Sequence, residues 1–316
     1  RTLLAKWHGR DQDRIRASFA PRFALSCSDQ LLKQVADISK ENGILIHTHA
    51  CENKKEIAWI QKLTGQPNLN YLHSMGVLTP LSVIAHGVWL RDSDRRLLAR
   101  TDAAITHCPS SNLKLGSGIA ELPKLLEAGI KVGIGADGAA CSNRLDAFQE
   151  MRLATLLHKP KFGVATIDAQ KALDLATRDG AKALHWFDKV GSIEVGKSAD
   201  FIMLDAIDPS TVPAPKFPLT KENQVRATGK TLRGRSIQRD WVSALVYSGH
   251  GGLVSQTWVN GKRCYLRGST GAEGLNSPSL FTRALKAQEL ILKRAGFTRT
   301  TLPATNKRTS RTRPTR

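Results

Sequence analysis

The 316-residue sequence is short of several things, and each shortage closes off a class of protein. It has only five cysteines, Cys27, Cys51, Cys108, Cys141 and Cys264, an odd number with no C-x-x-C pair. That argues against a disulfide framework or a cysteine-built zinc site, and it points to a reducing, cytoplasmic setting. P-C-x-x-C is also missing, which removes the zinc deaminases that pair it with H-x-E. No apolar run approaches the roughly 20 residues that span a bilayer, so no membrane partner is expected. The opening residues Arg1 to His8 do not read as a signal peptide, because charge interrupts their short apolar stretch.

Acid is scarce too: 27 Asp and Glu stand against 47 Lys and Arg, a net charge of +20. Nucleic acid is the first partner such an excess suggests. Part of the excess is local, however. The last 18 residues, Arg299 to Arg316, carry six basic side chains and no acid, among Thr, Ser and Pro. That composition cannot build a core and reads as a disordered basic tail. Elsewhere the basic residues are dispersed, and aromatics make up only 6% of the chain. The aromatic interleaving of a single-strand binder is therefore absent, and specific nucleic-acid binding is not expected.

What is present is a repeating pattern. Short apolar runs alternate with amphipathic stretches between Phe19 and His185. Ile44 to Ile46 reads as a strand ending in His47-Thr48-His49, and Glu52 to Leu63 as a helix. Ser82 to Ala85 ends at His86, and a helix follows over Asp92 to Arg100, its first turn acidic. Ala103 to Thr106 ends at His107, with a helix over Ile119 to Ala128. Lys131 to Ala136 ends at Asp137, with a helix over Asn143 to Leu157. Strand then helix, four times, implies parallel strands with crossover helices. A reactive side chain after every strand is the habit of a (β/α)8 barrel. Four or five units cannot close eight strands, so the fold expected is α/β, a partial TIM-like barrel over residues 1–188, with its other units upstream of Arg1.

Beyond that the pattern changes. Ala199 to Leu204 is strand-like, Asp205 to Arg239 reads as a long loop, and Asn260-Gly261 between two strand-like runs signals a hairpin. Residues 189–275 are expected to form part of a small β-sandwich, residues 276–298 a helix, and residues 299–316 the tail.

Chemistry concentrates at the strand ends. His47 and His49 share a strand face, and a neutral imidazole there suits zinc. Glu52, three residues on, can serve a metal-activated water as base. Each residue also has a plain reading: His49 and Glu52 as polar residues at a strand end, His86 as a structural histidine, Asp137 as a loop acid or cap. Gly133-x-Gly135-x-x-Gly138 matches a dinucleotide fingerprint, but it follows three strand–helix units and puts Asp137 where a pyrophosphate would sit.

Taken together, the motifs carry a resemblance. His47-Thr48-His49-Ala50-Cys51-Glu52, Ala85-His86-Gly87, His107-Cys108-Pro109-Ser110-Ser111-Asn112-Leu113-Lys114-Leu115 and Gly133-Ile134-Gly135-Ala136-Asp137-Gly138 resemble the aminohydrolase branch of the amidohydrolase superfamily. They are similar to its methylthioadenosine/S-adenosylhomocysteine and 5′-deoxyadenosine deaminases. The resemblance implies a metal ion, zinc with iron as the alternative, held by His49 and Asp137. It implies Glu52 as proton shuttle and substrate contact, and His86 as the group that orients the attacking hydroxide. Asp137 would also pass a proton to the leaving ammonia. The substrate implied is a small purine nucleoside or nucleobase, and a homo-oligomer is the assembly common in the family.

Three departures qualify this. The family's strand-one H-x-H ligand pair is absent from these residues, which leaves open a catalytically inactive remnant or basic scaffold. Pro21-Arg22-Phe23 is similar instead to guanine deaminase, which keeps guanine or triazine substrates open and makes Arg22 a candidate for a ring carbonyl; its plain reading is a surface arginine. Arg144 stands where a small polar residue is usual. His107 and Asn112 match the family and are assigned structural roles.

Overall fold

The computed structural model describes residues 2–205, 237–268 and 278–294. The chain divides into two compact units, Arg1–Arg263 and Cys264–Arg316. In the first, strands β1 (Ile46–Ala50), β2 (Ser82–His86), β3 (Ala104–His107) and β4 (Val132–Ile134) form one parallel sheet in chain order. Single parallel bridges from Phe19 to Ile46 and from Phe23 to His49 extend it beyond β1. The sheet is an open part of a barrel and does not close.

Its connections are helical: α1 (Asp29–Asn42), α2 (Lys54–Thr64), α3 (Asp92–Thr101), α4 (Pro109–Lys114), α5 (Leu122–Glu127), α6 (Ala147–Leu156) and α7 (Ala169–Ala176). Caps set several boundaries. Ser28 accepts from the Leu31 amide to start α1, and Gly43, at φ 65°, ends it. Asn53 caps α2, so that helix starts at Lys54 and leaves Glu52 in the turn before it. Asp146 caps α6, which therefore begins later than the expected Asn143. Pro123 in the first turn of α5 fixes its start at Leu122 rather than Ile119.

Parallel register gives the two faces of the sheet different jobs. Ile46, Ile84, Ile105 and Val132 point outward and pack with Leu32, Ile60, Leu72, Leu98 and Leu125 under the helices. Each such side chain contributes about 1.5–3 kcal/mol of burial. The inner face is lined by His47, His49, Val83, Ala85, Ala104, Thr106 and Gly133, which share register from strand to strand. The strand expected to end in His47-Thr48-His49 does carry both histidines, and its pairing with β2 continues to Ala50 opposite His86.

A second, antiparallel pairing joins β5 (Phe201–Leu204) to β6 (Val254–Val259). Asn260 and Gly261, at φ 48° and 72°, make the expected hairpin turn into β7 (Lys262–Leu266). Helix α8 (Ile237–Ser248) falls partly inside the stretch read as a loop; Val242, Leu245 and Val246 pack on Phe148, Met151 and Ala172. The remainder of that expected loop, residues 206–236, lies outside the described residues, as does the basic tail from Arg299. In the second unit, α9 (Pro278–Arg294) occupies the expected terminal helix.

Candidate active site

Four side chains from the ends of three strands, β1, β2 and β4, meet at the carboxyl edge of the parallel sheet. His49 sits near the end of β1, half-buried on the inner face. Its Nδ1 lies 2.8 Å from the Arg22 carbonyl oxygen. With that carbonyl accepting, Nδ1 carries the proton and Nε2 keeps its lone pair. Burial and the nearby His86 lower the His49 pKa, so the ring is neutral and fit to ligate.

His86 ends β2. By strand parity it belongs to the outer face, yet its φ of 76° turns it inward. Its ring centroid lies 5.2 Å from that of His49. Nε2 is 3.9 Å from Glu52 Oε2, and Nδ1 is 2.8 Å from Asn112 Oδ1. A histidine at positive φ is an uncommon, strained state costing of order 1–3 kcal/mol, of the kind that clusters at functional sites.

Asp137, three residues past β4, also has positive φ, 59°. Ser111 Oγ donates to its Oδ2 at 2.6 Å, and the Gly138 amide donates to its Oδ1 at 2.6 Å. Burial pushes this carboxyl up, but those two donors and the nearby His86 more than offset it, leaving it below the usual range and ionised. Gly135, just before it, has a reason to be glycine: a Cβ there would lie 2.5 Å from Thr106 Cγ2. Close packing explains the glycine, and no phosphate loop is needed.

Glu52 completes the group. Ser117 Oγ donates to its Oε1 at 3.0 Å, leaving Oε2 toward His86. Of the residues singled out in the sequence, His49, Glu52, His86 and Asp137 are thus brought together. Arg22 has an exposed side chain within electrostatic reach of His49, and its backbone carbonyl orients that ring. His107 is not in the group. It keeps regular strand geometry, faces outward and packs on His158, ring centroids 5.9 Å apart. Sequence reading missed Ser111 and Ser117, and it gave Asn112 only a structural role; their one signal was polar residues recurring within a single short segment.

The residues present fit a metal in part. His49 Nε2 and the Asp137 carboxylate are two donors of the right chemistry, and zinc ordinarily takes three or four from protein. Among the described residues no group of three or more candidate ligands is gathered. The donors here make half a coordination sphere.

An open parallel sheet with imidazoles and carboxylates gathered at its carboxyl edge is the layout of a (β/α)8 barrel, whose functional groups sit at the strand ends. The sequence profile of the amidohydrolase family matches residues 1–264, and the chain belongs to that family. The 5-methylthioadenosine/S-adenosylhomocysteine deaminase of Bacillus cytotoxicus is 39% identical over 264 residues, covering 83% of this chain and 55% of its own length. The 5′-deoxyadenosine deaminase of Methanothermobacter thermautotrophicus is 39% identical over 214 residues, 67% of this chain and 50% of its own length. The chain therefore spans about half the length of these relatives. Among solved structures, an adenosine deaminase from Xanthomonas campestris with bound zinc superposes with a TM-score of 0.79 at 28% identity, over 92% of this chain and 60% of that one. Guanine deaminase of E. coli gives 0.69 at 29% identity, over 84% and 58%.

Proposed function

We propose that this chain carries the catalytic edge of a metal-dependent hydrolytic deaminase acting on an adenosine derivative, such as methylthioadenosine, S-adenosylhomocysteine or 5′-deoxyadenosine. The observation that carries the reading is the convergence of His49, Glu52, His86 and Asp137 from three strand ends onto one edge. The two deaminase relatives at 39% identity supply the substrate class. His49 and Asp137 would hold the cation, and zinc is the metal proposed, since the Xanthomonas campestris relative binds it; elemental analysis separates it from iron. When bound, the cation supplies Lewis acidity at this centre.

The protein groups divide the proton work. Glu52, anchored at Oε1, keeps Oε2 free to take a proton from the attacking water and deliver it to a purine ring nitrogen. His86 Nε2, beside Glu52, orients and polarises that water. Asp137 passes the second proton to the departing amine, so water plus aminopurine becomes oxopurine plus ammonia. The cytoplasmic setting belongs to this proposal, supported by Cys27, Cys51, Cys108 and Cys141 standing outside any disulfide. So do a homo-oligomeric assembly and the division into barrel part (1–188), β-sandwich part (189–275), helix (276–298) and tail (299–316).

A second reading, guanine or triazine aminohydrolysis, is favoured by Pro21-Arg22-Phe23 and by the exposed Arg22 guanidinium near the site. Incubating the complete natural protein with the adenosine derivatives, guanine and melamine separates them. Ammonia from an adenosine derivative supports the first reading. Release only from guanine or triazine replaces it, and no release together with no stoichiometric metal leaves the inactive-remnant reading.

A further inference from the structure

One short segment holds three of the four site groups. Between β3 and α5, residues 110–117 form α4 and the turn after it. Ser111 Oγ donates to Asp137 Oδ2 at 2.6 Å, Asn112 Oδ1 lies 2.8 Å from His86 Nδ1, and Ser117 Oγ donates to Glu52 Oε1 at 3.0 Å. The segment is itself braced. The Ser117 amide donates to the Asn112 carbonyl at 2.8 Å, and the Trp89 indole donates to the Ser117 carbonyl at 2.7 Å. Lys114 Nζ donates to Ala140 O at 2.8 Å and also bonds Asn143, tying the helix to the loop after Asp137.

These polar side chains are buried: Ser111 and Asn112 at 0% and 1% exposure, Ser117 at 7%. A buried hydroxyl or amide costs about 1–3 kcal/mol unless bonded, so an ordinary core would place apolar residues here. The side-chain oxygens of all three bond to site groups instead, while the Asn112 amide nitrogen is buried with no partner among the described residues. Glycine shapes the turn between Asn112 and Ser117 and just beyond it: Gly116 and Gly118 have φ of 67° and 128°, and a Cβ on Gly118 would lie 2.9 Å from both Trp89 and Val88.

We infer that residues 110–117 are a positioning clamp for the proposed reaction, with Asn112 setting the tautomer of His86. Facing the amide oxygen, Nδ1 carries the proton, so of the two neutral tautomers the one favoured keeps the Nε2 lone pair toward Glu52 and the attacking water. Were the amide reversed, Nδ1 would accept and Nε2 would be protonated, useless as an acceptor there. Ser117 fixes which Glu52 oxygen moves protons, and Ser111 fixes the rotation of Asp137. These residues act through the groups they hold and touch no reacting atom.

This rests on the deaminase reading, but its first test needs no turnover. In the complete natural protein labelled with 15N-histidine, the His86 ring is expected to show protonated Nδ1 and bare Nε2. Asn112→Asp, which keeps an acceptor, should preserve that pattern, and Asn112→Leu should lose it. Wild-type His86 protonated at Nε2, or a pattern unmoved in a folded Asn112→Leu, overturns the inference. Where the leucine variant does not fold, the wild-type and Asn112→Asp spectra decide. In turnover, Ser117→Ala should lower kcat about 10–100-fold with KM within about twofold, and Ser117→Thr should recover most of it; an equal loss in both variants, or none in either, counts against the clamp. Absent turnover in wild type sinks the proposed function, while the His86 spectrum still decides this point.

Discussion

Two pairs of imidazoles lie on opposite sides of the parallel sheet, one at its carboxyl edge and one in the layer behind it. His49 and His86 meet at the carboxyl edge with ring centroids 5.2 Å apart, each held by a named partner. His107 and His158 pack tilted, with ring centroids 5.9 Å apart, in the outer layer, and both ring nitrogens of His107 and Nε2 of His158 are buried without a hydrogen-bond partner among the described residues. In sequence His86 and His107 are alike, each a histidine closing an apolar strand. What separates them is one backbone angle: φ of 76° swings His86 to the inner edge, while His107 continues the strand alternation into the helices. His49 reaches the site by ordinary strand parity, whereas His86 reaches it because the backbone breaks parity.

The sharpest way to break this comparison is substitution on both sides of it. His86→Gln, Glu52→Gln and Asp137→Asn should each lower kcat/KM by about 10²–10⁴-fold with the fold intact by circular dichroism. His107→Gln should leave kcat within about tenfold and act on thermal stability instead. Equal loss of turnover at His107 and His86 would erase the distinction drawn here.

Next in size is the pH dependence of stability. Burial, reinforced by His158 and His86, pushes the His107 pKa down to about 3, and burial takes His158 to about 4, against an ordinary value of 6.5. The unfolded rings take up protons near 6.5 while the folded ones refuse them. Stability from this pair is therefore complete above about pH 6.5 and falls as pH drops toward 4, by up to about 1.4 kcal/mol per pH unit for each ring. Denaturant midpoints measured from pH 7.5 to 4.5 should show that slope, and His107→Phe should flatten it. An unchanged slope in a folded variant would mean other groups carry the acid sensitivity.

A smaller effect sharpens the role of the inner face. Gly135→Ala sets a methyl 2.5 Å from Thr106 Cγ2, which should cost about 1–3 kcal/mol and disturb Asp137. Thr106→Ser should relieve part of that cost, and additive losses in the double variant would show that the contact is not the cause.

The same comparison explains what could be read from the sequence. Strand–helix alternation and apolar runs ending in His49, His86 and Asp137 were legible, because barrel chemistry sits at strand ends. Asn260-Gly261 announced its hairpin through turn chemistry alone. The serines and Asn112 that hold the site were not legible. They lie 26 to 65 positions from their partners in sequence, and no periodicity encodes a contact across two connections. Helix α8 was hidden by its basic, proline-rich neighbourhood, and the packing of Val242, Leu245 and Val246 against Phe148 and Met151 shows why it forms. Positive φ at a histidine leaves no mark in composition, so His86 and His107 could be told apart only in three dimensions.

The central claim is that His49 and Asp137 face one cation with Glu52 and His86 beside it. Anomalous scattering at the zinc edge from crystals of the complete natural protein tests this most directly. The expected result is a single zinc peak about 2.0–2.2 Å from both His49 Nε2 and an Asp137 carboxylate oxygen, with Glu52 and His86 in the next layer. A zinc peak bound by neither residue, or bound instead between His107 and His158, would contradict the account.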